Sequence, residues 1–372
     1  MGGILMSEKL KKYVCKNPFT YLDIQPIGQW ICCPSWAPTN IGGDATPMQE
    51  DLLKDWQGPT VTDIRKSVLD GTYRHCDHKV CPSLSKLINT DEVPIEFIEK
   101  SEALKTFNIT SLEDVENFQG LPEYILFGFD RSCNLKCPSC RNEQVPNDDV
   151  NSFAHKRKEY LLEQIETKFA ANVKRLMITG SGDPFYSKLY RNYLIDFDPK
   201  KYPKLEEIQI ITNGNLLNEK MWMSLGARKF IKRIEISVDA GTKDTYENIT
   251  RLNGDWDRLI SNIQYLSTQD SIEHFIVSMV VSEYNYKEME DFYHTFNDIL
   301  SKSKIQLYIH YRQHVYWGTG AYSSAHVKAI SVFEPEHEQH QQFLLELQKI
   351  HNKKTVSGAT VGHNFHHLLN NT

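Results

Sequence analysis

The chain has 372 residues, 40% of them apolar and 24% charged, with a formal net charge of −6. That length accommodates one large domain and a smaller one, and the composition is that of an ordinary globular protein. The acidic balance argues against nucleic acid as the main partner, because phosphate binding draws on clustered Lys and Arg. No apolar run approaches the roughly eighteen residues of a membrane span. The opening "MGGILMSEKLKKY" lacks the apolar core and cleavage site of a signal peptide, and its serine is misplaced for myristoylation. A cytoplasmic protein without a membrane partner is expected. Its eight cysteines then point to a metal or redox role rather than to a disulfide framework.

Residues 1 to 95 are rich in Trp, Pro, Gly and Cys and show little regular periodicity, which predicts a small loop-rich module held by a metal. Residues 96–120 read as a polar helical connector, placing a boundary near 115. Beyond it strands and helices alternate. The strands are expected at 123–130, 173–180, 205–213, 231–239, 274–282 and 304–312, with helices at 153–171, 186–194, 216–229, 242–266 and 286–302. Short strands separated by longer helices predict βαβ units and a parallel sheet, either doubly wound or a partial barrel. In both, chemistry belongs at the C-terminal strand ends. The conspicuous residues fall there: Cys133 after the first strand, "GSGD" after the second, "TNGN" after the third, "SVDA" after the fourth. Residues 116–320 form this domain, and 321–372 read as a helix and polar tail in which His337 and His340 occupy a solvated face.

Cys133, Cys137 and Cys140, in "DRSCNLKCPSCRNE", place three thiolates within eight residues. A structural zinc site takes four ligands, usually as two pairs, so zinc here would need a distant His. Three thiolates suit an iron–sulfur cube with one iron left open to a substrate's amino and carboxylate groups. The loop strongly resembles that of radical S-adenosylmethionine (radical SAM) enzymes, and the six strand–helix units resemble their partial (β/α)6 barrel.

The resemblance extends to further motifs in order. Gly180, Ser181, Gly182 and Asp183 stand where the family's Gly-Gly-Glu element hydrogen-bonds the methionine amino group, with an acidic side chain one carbon shorter. Asn213, Ser237 and Asp239 stand where the family contacts the methionine carboxylate and ribose, and Arg251 resembles an arginine that pairs with that carboxylate. Ser139 replaces a frequent aromatic. The resemblance implies that a 4Fe–4S cluster, reduced by a donor such as flavodoxin or ferredoxin, cleaves S-adenosylmethionine to a 5′-deoxyadenosyl radical. That radical would abstract a hydrogen atom from an unactivated C–H bond.

The spacing Cys15-x12-Gly28-x4-Cys33 is similar to the opening of the auxiliary-cluster motif of SPASM and twitch domains, here placed before the barrel rather than after it. On that register Cys33 is the ligand and Cys32 a small packing residue, with Cys76 and Cys81 completing four thiolates. Such a set accepts a second 4Fe–4S cluster or tetrahedral zinc.

Strand alternation adds Glu235 and Gln209 to the inner face, and on the last strand Tyr308, His310 and Arg312, unless that strand is a solvated edge. An inward arginine suits a carboxylate or phosphate. Three functions follow as expectations. The first is a radical SAM oxidoreductase dehydrogenating a small polar metabolite such as a sugar derivative. The second is a SPASM-type peptide maturase, and the third, of another class, a zinc-bearing binding protein without catalysis.

Overall fold

The structure is a computed structural model that describes residues 8–42, 50–78, 80–179, 181–316, 318 and 320–369. Its described strands are β1 (Tyr13–Cys15), β2 (Tyr21–Gln25), β3 (Gly28–Trp30), β4 (Phe97–Glu99), β5 (Tyr124–Phe127), β6 (Arg175–Ile178), β7 (Glu207–Thr212), β8 (Ile231–Ser237), β9 (His274–Val281), β10 (Gln306–Gln313) and β11 (Gly362–His363). From β5 onward helices intervene, among them Phe153–Lys168, Lys188–Ile195, Glu219–Ser224, Trp256–Leu266 and Met289–Ile299. Each of the first four is opened by a polar side chain that accepts from a first-turn N–H: Ser152, Ser187, Asn218 and Asp255. The strands between them are rich in Ile, Val and Phe, as strands covered on both faces require. No described helix is long and apolar enough to cross a membrane.

The chain divides into two compact units. One comprises 1–130, 148–177 and 198–206; the other comprises 131–147, 178–197 and 207–372. In the first unit β2 pairs antiparallel with β3 and parallel with β5, while β1 and β4 form a separate antiparallel pair. This unit is more regular than its composition implies. Helices Pro59–Leu69 and Pro82–Asn89 each begin with proline at the first helical position, where no N–H is needed. The stretch 96–120, expected as a helical connector, starts instead with β4, because Phe97 is buried with Val14, Phe19 and Leu84.

In the second unit the strand order is β11-β10-β9-β8-β7, parallel throughout, with Ile234 beside Phe275 and Phe275 beside Leu307. The last expected strand is therefore not an edge: β11 covers it, pairing His310 with Gly362 and Tyr311 with His363. Gly362 is required there, since an added Cβ would lie 2.7 Å from the His310 ring. His340, expected on a solvated face, is 7% exposed, its Nδ1 3.0 Å from the Val332 carbonyl oxygen. It starts the helix His340–Ile350, whose buried face also carries Phe343 and Leu347.

The first unit buries a cation. Arg65 is 1% exposed, with its guanidinium 4.6 Å from the rings of both Trp56 and Phe118 and Nε donating 2.8 Å to the Pro18 carbonyl. Burial draws its pKa down to about 9. Arg65→Ala removes both ring contacts and leaves a void, and is expected to lower stability by about 2–4 kcal/mol. Urea titration of the purified variant measures this, and an unchanged midpoint would contradict it.

Candidate functional site

The cysteine loop lies in the second unit and is closed by its own backbone. Cys133 N donates to Val145 O, Cys140 N and Arg141 N both donate to Cys137 O, and Lys136 N donates to Leu252 O, each at 2.9 Å. Leu135 is fully buried between the thiols, with Cys133 at 5% and Cys137 at 3% exposure. Each sulfur has a side-chain N–H donor. Asn213 Nδ2 lies 3.8 Å from Cys133 Sγ, Arg251 Nη1 lies 3.4 Å from Cys137 Sγ, and Arg141 Nη2 lies 3.2 Å from Cys140 Sγ. Burial, and then Asp183, push the Cys133 thiol up to about 12.

After β6 the chain turns sharply. Thr179 has φ of 84°, a conformation that a β-branched residue adopts only under constraint, and its hydroxyl donates to Gly182 O at 3.0 Å. Gly180 lies outside the described residues. Ser181 is half-buried and its carbonyl accepts from Arg141 Nη2 at 3.1 Å. Asp183 is 1% exposed, and protein donors engage both its oxygens: Phe185 N and Tyr186 N on one, Thr212 Oγ1 and Asn213 N on the other. Burial raises its pKa against those four hydrogen bonds. Its evident work is to tie the "GSGD" turn to the end of β7.

That end is shaped by Gly214, at φ 79°, where a Cβ would meet Leu259 at 2.7 Å. Asn213 also donates to Asn134 Oδ1 at 2.9 Å, joining β7 to the cysteine loop. At the end of β8 Ser237 is half-buried and beside Ser278. Asp239, at φ 61°, accepts from Val280 N at 2.8 Å and from Arg251 Nη2 at 2.7 Å. Burial opposes the Arg251 charge, but Asp239 and Cys137 more than offset it and its pKa is raised. Arg251 thus faces a sulfur and a carboxylate of its own chain.

On the polar face of β8–β10, buried Glu235 pairs with Arg312 at 2.8 Å, with Ser278 Oγ 3.5 Å from the same carboxylate oxygen. The Arg312 side chain remains 42% exposed, so its other N–H groups are open to a ligand. Tyr308 and His310 are half-buried beside one another, and Gln209 is buried on β7. Burial, then Arg312, lower the His310 pKa to about 4. Two functional candidates escape pattern reading. Arg141 shows only as a charged residue adjoining the last cysteine of the loop. His314, one residue beyond β10, is 7% exposed and neither ring nitrogen has a partner among the described residues.

The first unit gathers five thiols. Burial raises the Cys15 pKa first, then Cys32, with Cys76 and Cys81 adding to it; burial and then Cys81 push Cys76 up to about 12. Cys15, Cys76 and Cys81 pack against one hydrophobic cluster. Cys81 Sγ accepts from Leu84 N at 3.4 Å and so opens the helix Pro82–Asn89. Cys32 is buried and its sulfur accepts from Asn17 Nδ2 at 3.4 Å, whereas Cys33 is half-buried and lies near Cys81. All eight cysteines are free, and among the described residues no group of three or more His, Cys, Asp or Glu is arranged to hold a metal ion as the side chains stand.

The donor set of the loop nevertheless fits an anionic cluster. Arg141 is 6% exposed, and the groups that raise its pKa against burial are Cys140, Cys133 and Cys137. A buried guanidinium facing three neutral thiols would be an uncompensated charge; facing thiolates, it is paired.

Residues 129–296 match the model of the Radical SAM superfamily, which makes this stretch a radical SAM domain. The superfamily uses a 4Fe–4S cluster and S-adenosylmethionine, and the strand–helix order is that of its partial (β/α)6 barrel. The chain is 27% identical over 175 residues to GTP 3′,8-cyclase of Clostridium perfringens, covering 45% of this chain and 50% of that protein. It is 25% identical over 304 residues to the antilisterial bacteriocin subtilosin biosynthesis protein AlbA of Bacillus subtilis, covering 81% of this chain and 60% of that protein. The structure of Streptococcus suis SuiB bound to precursor peptide SuiA aligns with a TM-score of 0.41 and 14% identity, covering 82% of this chain and 62% of that one. The chain spans about half the length of the GTP 3′,8-cyclases it matches.

The low pKa of His310 has a consequence for stability. The unfolded imidazole takes up a proton at about 6.5, whereas the folded one does so only near 4. Between those values the unfolded chain binds more protons, so stability falls as pH drops through this window. His310→Gln is expected to flatten that limb of the stability curve, measured by denaturant titration from pH 7 to pH 4. A limb of unchanged slope would contradict the assignment.

Proposed function

We propose that the chain is a cytoplasmic radical SAM enzyme that oxidises a small polar substrate, such as a sugar derivative, held against the inner face of β8–β10. The observation that supports this most is the loop of Cys133, Cys137 and Cys140, closed on itself with one N–H donor on each sulfur. In this reading the three thiolates hold the 4Fe–4S cluster. Gly180, Ser181, Gly182, Asp183, Asn213, Ser237, Asp239 and Arg251 are the residues assigned to the S-adenosylmethionine site. When bound, the pair supplies the radical that removes a hydrogen atom from the substrate.

The chain's own part is binding, orientation and proton handling. Arg312, fixed by Glu235 and still open to solvent, binds an oxygen of the substrate through its free N–H groups. His310, neutral at pH 7, and Glu235 are the proton acceptors on that face. Cys15, Cys33, Cys76 and Cys81 would hold a second iron–sulfur cluster, which would supply an acceptor for the electron that a dehydrogenation releases. The reducing electron comes from a flavodoxin or ferredoxin.

A second reading is a peptide maturase. It is favoured by the match to AlbA, which extends over 81% of the chain and so reaches well beyond the superfamily domain.

Anaerobic reconstitution followed by dithionite and S-adenosylmethionine is expected to yield 5′-deoxyadenosine from the wild type and none from Cys133→Ala/Cys137→Ala/Cys140→Ala. A fully loaded wild type that forms no product would contradict the enzyme reading. The doublet is tested separately: Cys33→Ala is expected to lose about four irons per chain, one cluster's worth, and Cys32→Ala none. The reverse result would move the register by one residue.

A further inference from the structure

We infer that this chain raises the reduction potential of its S-adenosylmethionine-binding cluster through its side-chain N–H donors, and that Arg141 is the dominant positioning residue among them. The inference rests on the reading of Cys133, Cys137 and Cys140 as cluster ligands.

The three donors differ in a way that orders their effects. Asn213 is neutral and lies farthest from its sulfur, at 3.8 Å from Cys133 Sγ. Arg251 is charged and lies 3.4 Å from Cys137 Sγ, but its Nη2 is already paired with Asp239 at 2.7 Å. Arg141 approaches Cys140 Sγ to 3.2 Å, and its remaining hydrogen bonds go to the neutral carbonyls of Arg131 and Ser181, at 3.2 and 3.1 Å. Its Nε has no partner among the described residues. Of the two guanidiniums, Arg141 therefore brings the charge that no carboxylate among the described residues is seen to share.

An electron added to the cluster makes the cluster and its thiolates more negative. N–H donors on the ligand sulfurs and a nearby positive charge stabilise that reduced state over the oxidised one, and so raise the potential. Arg141 is only 6% exposed, so its charge is poorly screened by solvent and its effect exceeds that of a neutral donor. Arg141 acts in a second way as well. By holding Ser181 O and Cys140 Sγ with the same Nη2 atom, it fixes the "GSGD" turn against the cluster loop.

The test is an EPR-monitored redox titration of the reconstituted protein without S-adenosylmethionine. It follows the signal that is absent from the triple cysteine variant. Arg141→Gln removes the charge, and its reduced-to-oxidised ratio at a fixed ambient potential is expected to fall about tenfold, a shift of about 59 mV to lower potential for a one-electron couple. Arg141→Lys, which keeps the charge and loses the fork, is expected to fall between Arg141→Gln and the wild type. Asn213→Ala is expected to shift less than Arg141→Gln. If Arg141→Gln fails to retain iron, Arg141→Lys and Asn213→Ala decide the matter. Arg141 variants that carry a full cluster with the wild-type midpoint would overturn the inference, as would a larger shift for Asn213→Ala than for Arg141→Gln. A wild type that takes up no cluster at these thiols would instead overturn the ligand reading beneath it, and iron analysis before the titration separates the two failures.

Discussion

The second unit is organised around the pairing of buried sulfur with buried positive charge. Three cysteines brought within one short loop would repel one another as thiolates, and two guanidiniums and an amide stand against them. Each of those donors comes from a different place: Arg141 from the loop itself, Asn213 from the end of β7, Arg251 from beyond β8. The loop therefore takes its geometry from the strand ends, and the strand ends are tied together through it. Asp183 and Asp239 serve the same arrangement. Asp183 bonds Thr212 and Asn213 at the end of β7, and Asp239 accepts from Val280 N and from Arg251, whose other terminal nitrogen reaches Cys137. The strained φ of Thr179 and the left-handed φ of Asp239 occur at two of these junctions, where surrounding hydrogen bonds over-determine the backbone.

The polar face of β8–β10 follows a different logic. Glu235 is buried and Arg312 is not, so the pair is held at its carboxylate end and open at its guanidinium end. That asymmetry leaves a directed donor group without an isolated buried charge. His310 beside it is kept neutral by burial and by the same arginine. Together they form a face with little net charge, suited to hydroxyl, carbonyl or carboxylate oxygens rather than to several phosphates at once.

Much of this was legible in the amino-acid sequence, and the limits have physical causes. The cysteine triplet is a local pattern, and period-two alternation put Glu235, Tyr308, His310 and Arg312 on one strand face each. Which strands neighbour one another is a long-range property, so the Glu235–Arg312 pair needed the structure. Arg251 was read as a partner for a cofactor carboxylate; its contact with Cys137 spans 114 positions and no spacing announces it. Arg141 was overlooked because a charged residue next to a ligand cysteine usually reads as a solvated loop residue. In the N-terminal region, high Trp, Pro and Cys content masked two helices whose opening prolines were in plain view. For the Cys32–Cys33 doublet, spacing selected Cys33, while packing places Cys32 beside Cys15 and Asn17, so both thiols belong to the same neighbourhood.

In the function proposed above, three thiolates hold a cluster with one iron left free for S-adenosylmethionine. Mössbauer spectroscopy of protein reconstituted with 57Fe tests it most directly, recorded before and after S-adenosylmethionine is added. A single iron subsite of one cluster is expected to change its isomer shift on addition, while the other subsites are unaltered. A spectrum that is unchanged by S-adenosylmethionine, with every iron in an all-sulfur environment, would contradict it.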